Sequence, residues 1–142
     1  MTHQAEAILE NELIAQLDAL GYDRVKIPDG ESLEENLKSQ LEKFNQEKYS
    51  NQEFENILNH LAKGNVFEKA KTLRDRFSFT RENGNAVYVR FFNSEDWSKN
   101  LYQVTNQITL EGSYKNRYDV TLLVNGLPLV QMELKRRGIE IK

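Results

Sequence analysis

The stretch RYDVTLLVNGLPLVQMELKRRG, at residues 117–138, decides how this chain is expected to fold. Two runs rich in aliphatic residues flank the dipeptide Asn125-Gly126, and such a dipeptide between apolar runs predicts a β-hairpin. The first run carries Asp119, and the second carries Glu133 and Lys135. Two carboxylates and a lysine in the spacing D-x13-E-x-K, on neighbouring strands, can hold a divalent metal ion beside a scissile phosphate. The pattern therefore leads to the hypothesis of a nuclease.

The register of this hairpin decides whether the three side chains share one face of the sheet. Along the second strand, Glu133 and Lys135 point to the same side and lie about 7 Å apart. With a plain two-residue turn, Asp119 would lie opposite Met132 and would point away from Glu133. The metal hypothesis needs Asp119 opposite Glu133. It therefore predicts either an odd-length loop at residues 125–127 or a β-bulge between the turn and the site.

The residue types suit phosphodiester hydrolysis. Because Mg²⁺ prefers hard oxygen ligands and takes one or two carboxylates with water and substrate phosphate, Asp119 and Glu133 would be its ligands. Lys135 would orient the attacking water and offset the charge that develops on the phosphate. Nearby cations could hold the phosphate backbone of DNA, and these are Lys115, Arg117, Arg136 and Arg137. The bare pattern carries little information, because a solvated strand face with a cross-strand ion pair has the same residues.

The composition argues against several classes of protein and site. The chain has 142 residues, 39% of them hydrophobic and 29% charged, which fits one ordinary domain. It has no cysteine and only two histidines, His3 and His60, so we expect no disulfide, zinc centre or histidine-based triad. Since the net charge is −3, any attraction to DNA would come from a local basic patch or from another part of a larger protein. No membrane-spanning apolar run or secretory signal is visible, and a cytoplasmic location is expected.

Apolar periodicity predicts three helices in the first half of the chain. The first spans about residues 2–20. The second is predicted to start at Ser32 and the third at Ser50, because each serine precedes a glutamate by three residues, the spacing of a capping box. Strands are predicted at residues 87–92, 102–108, 117–124 and 128–135. Helices followed by strands favour an α/β or α+β fold around a mixed sheet, with an N-terminal helical portion.

Residues 116–135 closely resemble the nuclease motif of the restriction (R) subunit of type I restriction–modification enzymes. In that family the string N-R-Y-D-V-T-x-L-V-N-G-x-P-L-V-x-x-E-x-K forms a PD-(D/E)xK endonuclease centre, and this chain matches it almost throughout. The resemblance implies an α/β restriction-endonuclease-like fold, in which helices flank a mixed central sheet. It also implies Asp119 and Glu133 as metal ligands and Lys135 as the catalytic lysine.

The N-terminal segment ILENELIAQLDALGY resembles the family's first helix, whose acidic residue falls on Glu10. Glu10 precedes Leu13, Ile14 and Leu17 by three, four and seven residues, so its carboxylate is expected to face inward. An inward carboxylate needs a partner or a metal ion. It would therefore line the metal site, directly or through water, and the alternative is a partly exposed helix charge.

The resemblance also implies partners. In that family the R subunit joins the nuclease domain to an ATP-driven motor that translocates double-stranded DNA, and it works with a methyltransferase (M) and a specificity (S) subunit. No G-x-x-x-x-G-K-[ST] pattern occurs here, so ATP would bind in another part of such a protein. Residues 1–142 are therefore expected to be the N-terminal part of an endonuclease domain, a truncated fragment of a much larger motor subunit. The alternative function is a non-catalytic DNA-positioning or subunit-interaction module on the same fold.

Overall fold

The computed structural model describes residues 2–64, 71–108 and 118–133. Its helices are α1 (Thr2–Ala19), α2 (Gly30–Asn45) and α3 (Asn51–Ala62), residues 71–74 are also helical, and a 3-10 turn spans Trp97–Lys99. Its strands are β1 (Asp23–Arg24), β2 (Phe77–Thr80), β3 (Ala86–Val89), β4 (Tyr102–Ile108), β5 (Tyr118–Val124) and β6 (Leu127–Met132). Within these ranges every helix is too short or too polar to traverse a lipid bilayer.

Four strands form a mixed sheet in the order β1-β4-β5-β6, and β2 pairs with β3 in a separate antiparallel hairpin. β1 runs parallel to β4, whereas β4, β5 and β6 are successively antiparallel. Consecutive residues of β4 face opposite sides of the sheet. Val104 packs against Ile14 of α1, whereas Gln103 exchanges side-chain hydrogen bonds with Asn36 of α2. The mixed sheet is therefore flanked by α1 and α2 on opposite faces, consistent with the restriction-endonuclease-like fold expected from the sequence.

The starts of α2 and α3 show which capping signals the chain uses. Ser50 caps α3 through a full capping box: its hydroxyl accepts from the Glu53 N–H at 3.1 Å, and the Glu53 carboxylate accepts from the Ser50 N–H at 2.9 Å. The prediction for α3 is thus confirmed. The predicted start of α2 at Ser32 is wrong, because Asp29 is the N-cap and its carboxylate accepts from the Ser32 N–H at 2.8 Å. This backbone hydrogen bond holds the pKa of Asp29 below its ordinary value.

The predicted strand at residues 102–108 is confirmed as β4, but the strand predicted at residues 87–92 ends at Val89. The strand ends early because the side chain of Asn45, the last residue of α2, forms hydrogen bonds with both the N–H and the carbonyl group of Arg90. Its Oδ1 accepts from the Arg90 N–H at 2.8 Å, and its Nδ2 donates to the Arg90 carbonyl at 3.0 Å. The last strand begins at Leu127, and residues from 134 onwards lie outside the described residues.

The turn between β5 and β6 is held against α2. Asn125 is fully buried; its Oδ1 accepts from the Leu101 N–H at 2.8 Å and its Nδ2 donates to the Phe91 carbonyl at 2.9 Å. Gly126 has a φ of 86° and lies so close to α2 that a Cβ added there would be 2.7 Å from the Cα of Leu37. Only glycine combines this conformation with this close approach. The hairpin that carries the candidate site is therefore fixed in position at its turn.

Candidate active site

The β5–β6 hairpin contains the register shift that the nuclease hypothesis requires. Leu123 pairs with Pro128, but the next residue of β5, Leu122, pairs with Val130. Leu129 is therefore the extra residue of a β-bulge. The turn itself keeps the plain two-residue form. Of the two alternatives predicted from the sequence, the bulge is confirmed and the odd-length loop is wrong.

The bulge changes which residues lie across from each other at the far end of the hairpin. Pairing continues to Val120 and Met132, the last pair of the ladder. One further step along two antiparallel strands leads to positions 119 and 133, which are opposite each other in this register. Asp119 belongs to β5, and Glu133 directly follows β6 with an exposed side chain. Without the bulge, Asp119 would lie across from Met132.

Several predicted site residues fall outside the described residues. These are the candidate catalytic lysine and the four candidate DNA-binding cations, namely Lys135, Lys115, Arg117, Arg136 and Arg137. Their roles stay predictions. The ligand roles of Asp119 and Glu133 also stay predictions, although the backbone register suits them.

Glu10 faces inward, as its helix position predicts. The residue is only 6% exposed, and its carboxylate accepts a hydrogen bond from Nδ2 of Asn106 at 3.0 Å. Asn106 lies on β4 and pairs with Val120, the neighbour of Asp119 on β5. Glu10 is therefore a buried carboxylate rather than a partly exposed helix charge, and it lies on the α1 side of the sheet near the acidic end of the hairpin.

Two buried hydroxyl groups lie close to the same end. Thr105 and Thr121 pair across β4 and β5, are 2% and 0% exposed, and have no hydrogen-bond partner for Oγ1 within the described part of the chain. Thr121 is two residues from Asp119 on β5. Buried hydroxyls without partners are costly, and a bound water molecule would satisfy them. Val104 and Val120 pack against α1, so the alternate positions Thr105 and Thr121 face the other side of the sheet, opposite to Glu10.

No sequence signal marks Asn106 or the two threonines. They occupy ordinary strand positions, where polar residues usually face solvent. Only the contact of Asn106 with Glu10, and the burial of Thr105 and Thr121, show that they belong to this region.

Comparisons with known proteins show the family of this chain. Residues 3–142 match the family model described as the N terminus of the type I restriction enzyme R protein. An endonuclease subunit of a type I restriction enzyme from Staphylococcus aureus (strain MSSA476) is 44% identical over 146 residues, which cover 99% of this chain and 16% of that relative. A corresponding subunit from Staphylococcus saprophyticus is 41% identical over 146 residues, with the same coverage of both chains.

A more distant relative extends the likeness beyond staphylococci. The endonuclease subunit of the EcoprrI type I restriction enzyme from Escherichia coli is 33% identical over 147 residues, which cover 99% of this chain and 47% of that relative. The chain thus spans 16% of the length of the staphylococcal relatives and less than half of the Escherichia coli one. Because the family model matches residues 3–142, this chain belongs to the family of type I restriction enzyme R protein N-terminal regions.

Proposed function

We propose that this chain is a divalent-metal-dependent DNA endonuclease domain, which hydrolyses phosphodiester bonds of foreign DNA. The observation that supports this proposal most is the bulge at Leu129, which sets positions 119 and 133 opposite each other. Like charges directly opposite each other destabilise an antiparallel pair. A cation between the two carboxylates would remove this repulsion, whereas a plain surface ion pair gives no reason for two acidic residues at these positions.

Each residue of the motif has a separate task in this proposal. The carboxylates of Asp119 and Glu133 would hold Mg²⁺. Glu10 lies on the face of Val120 and Met132, the neighbours of positions 119 and 133, so it would act on the ion through water at the end of the sheet. When bound, the metal ion supplies a Lewis acid for the phosphate and lowers the pKa of a water ligand. Lys135 would orient the attacking water and offset the negative charge that develops on the phosphate. The side chains that would hold the DNA backbone are Lys115, Arg117, Arg136 and Arg137.

The wider assembly belongs to the same proposal. The substrate would be double-stranded DNA in the cytoplasm. The remaining part of such an R subunit would bind ATP and move DNA, and the partners would be the methyltransferase and specificity subunits. The relatives are endonuclease subunits by name, and this chain spans only part of each of them.

Nicking of supercoiled plasmid DNA tests the proposal. The protein is incubated with Mg²⁺ or Mn²⁺, and the wild type is compared with Asp119→Asn. We expect the variant to lose at least about a hundredfold in rate, the usual scale for removing a group that stabilises the transition state. The matched control is Asp23→Asn, an exposed strand aspartate on β1, which should nick like the wild type. Equal nicking by Asp119→Asn would favour the non-catalytic DNA-positioning or subunit-interaction module.

A further inference from the structure

Outside the candidate active site, cationic side chains concentrate along one surface groove of ≈ 560 Å³. Lys43 comes from the last turns of α2, Arg76 directly precedes β2, Arg90 directly follows β3, and Lys99 ends the 3-10 turn. Tyr88 of β3 also lines this groove. The four cations and the tyrosine are here called the basic groove. Four separate parts of the chain thus bring positive charge to one place in a chain whose net charge is −3.

The positive charge of the basic groove is available to a ligand. All four cations are exposed. The ion pairs within the described ranges involve Lys48 and Arg81 instead. Near the groove, hydrogen bonds from Ser98 lower the pKa of Asp96, and the charge of Lys99 adds to this effect. The Asp96 carboxylate accepts hydrogen bonds from the Ser98 hydroxyl at 2.6 Å and from the Ser98 N–H at 3.1 Å. It is therefore already hydrogen-bonded within its own turn.

One arginine of the basic groove is held in place by an aromatic ring. The guanidinium carbon of Arg76 lies 4.9 Å from the ring centroid of Tyr88. This cation–π contact orients the planar guanidinium without using its N–H groups, which can bind oxygen. Tyr88 is 54% exposed, so its hydroxyl can also donate to an anion. Arginine, lysine and tyrosine side chains of this kind are the usual partners of DNA phosphates.

The basic groove is separate from the candidate metal site. It is also lined by Leu101, whose N–H and carbonyl are both bound by Asn125 at the turn of the hairpin. Positions 119 and 133 lie at the other end of that hairpin, five residues along β5 from Val124. Five residues of strand span about 17 Å, which a DNA duplex covers in about five base-pair steps. Variants of the groove therefore leave the candidate catalytic groups in place.

We propose that the basic groove docks the phosphate backbone of double-stranded DNA, as a second contact surface away from the metal site. The choice of DNA as the polyanion rests on the proposed nuclease function, whereas attraction to a polyanion follows from the charges themselves. Contacts to phosphates position a protein on the duplex without reading its sequence. The groove therefore strengthens binding about equally for different DNA sequences.

Fluorescence anisotropy with a short labelled duplex, in buffer with EDTA and over a series of salt concentrations, tests this proposal. The groove variant carries Lys43→Gln, Arg76→Gln, Arg90→Gln and Lys99→Gln. The logarithm of the association constant falls linearly with the logarithm of the salt concentration, and each lost phosphate contact makes this slope shallower by about one. We therefore expect the slope to become shallower by about three to four. We also expect at least a tenfold loss of affinity at low salt. The control variant removes four exposed charges elsewhere, with Arg24→Gln, Lys48→Gln, Lys63→Gln and Lys71→Gln, and should change the slope by less than about one.

The remaining outcomes are decisive in either direction. Equal losses in the groove and control variants would show an effect of overall charge and would overturn the proposal, as would a groove variant that binds like the wild type. Tighter binding of duplex RNA than of duplex DNA would overturn the assignment to DNA. If the fourfold variant does not fold, the double variant Lys43→Gln with Arg90→Gln should lose about two units of slope. The anisotropy is measured without Mg²⁺ and without cleavage, whereas nicking of plasmid DNA reports on the metal site, so a failed nuclease proposal is distinguishable from a failed groove.

Discussion

Glu10 is a buried carboxylate whose role can be separated from its packing. Its carboxylate accepts a hydrogen bond from Asn106, and Glu10→Gln keeps an oxygen that can accept the same bond while it removes the charge. If Glu10 helps to hold a metal ion, we expect the Mg²⁺ concentration for half-maximal DNA cleavage to rise about tenfold or more. The thermal midpoint of unfolding should change little. Both quantities are measured on the same preparation.

The matched control for this prediction is Glu12→Gln, which removes an exposed charge of the same helix. It should alter neither the Mg²⁺ dependence nor the midpoint. If Glu10→Gln cleaves DNA with the Mg²⁺ dependence of the wild type, Glu10 serves only the hydrogen bond to Asn106.

Gly126 and Gly84 form a natural pair for separating backbone strain from close packing. Their φ angles are 86° and 88°, yet a Cβ at Gly126 would be 2.7 Å from Leu37 Cα. A Cβ at Gly84 would have no heavy atom of the described residues within 4 Å, apart from its own chain neighbours. In both positions alanine adds strain of about 1–2 kcal/mol. At Gly126 it also pushes the hairpin away from α2, and such overpacking costs typically about 1–3 kcal/mol more.

Urea unfolding of Gly126→Ala and Gly84→Ala measures this difference. We expect the free energy of unfolding to fall further for Gly126→Ala, and its DNA cleavage to fall too, because the hairpin that carries positions 119 and 133 is displaced. Equal losses of stability in the two variants would mean that α2 shifts to accommodate the added methyl group without lowering the free energy of unfolding.

At the scale of elements, the sequence predicts where helices and strands lie better than where they begin. Ser32 and Ser50 both precede a glutamate by three residues, but only Ser50 is an N-cap. In α2 the carboxylate of Asp29 competes with the Ser32 hydroxyl, and a charged acceptor makes the stronger bond. The helix therefore begins earlier than the capping-box spacing indicates, because the spacing does not include this competition.

The bulge at Leu129 was predictable for a different reason. No residue in LPLVQM marks a bulge by type. The bulge follows from the chemical requirement that Asp119 should lie opposite Glu133, combined with the fixed period of side chains along a strand. A functional hypothesis thus supplied a structural detail that propensity alone does not give.

An engineered disulfide tests this register, because the chain has no cysteine of its own. Asp119→Cys with Glu133→Cys places thiols at directly opposite positions, where Cα atoms of antiparallel strands are about 4.5–5.5 Å apart. This separation lies within the range of a disulfide. We expect the pair to oxidise readily, with the loss of two hydrogens measured by mass spectrometry. The control pair, Asp119→Cys with Met132→Cys, has its Cβ atoms on opposite faces and should stay reduced; the reverse result would establish the plain hairpin register.

At the scale of the whole molecule, some features have no local signal in the sequence. The nuclease motif is contained in one hairpin, so its residues could be recognised together. The cations of the basic groove come from residues 43 to 99 and meet only through packing of α2 against the β2–β3 hairpin and the 3-10 turn. A net charge of −3 leaves a local basic patch possible but does not indicate where on the surface it lies. Local positive charge is thus a property of the fold rather than of the composition.

Tyr49 makes the stability of the whole molecule depend on alkaline pH. It is 4% exposed in the core between α2, α3 and the β2–β3 hairpin, and its hydroxyl has no hydrogen-bond partner within the described residues. Burial, with added effects of the Glu47 and Glu42 charges, raises the pKa of Tyr49 to about 12. Unfolded tyrosine titrates near pH 10, so between pH about 10 and about 12 the unfolded chain releases a proton that the folded chain keeps. The free energy of unfolding therefore falls as pH rises through this window.

Tyr49→Phe should remove this part of the alkaline decline. At neutral pH the variant should be as stable as the wild type or more stable, because it removes a buried hydroxyl without a partner. Urea unfolding at a series of pH values from about 8 to about 12 measures both effects. Tyr88→Phe is the matched control, since Tyr88 is 54% exposed, and it should keep the alkaline decline of the wild type. A clear loss of stability in Tyr49→Phe at neutral pH would mean that the hydroxyl binds a partner, such as a buried water molecule, that offsets its burial.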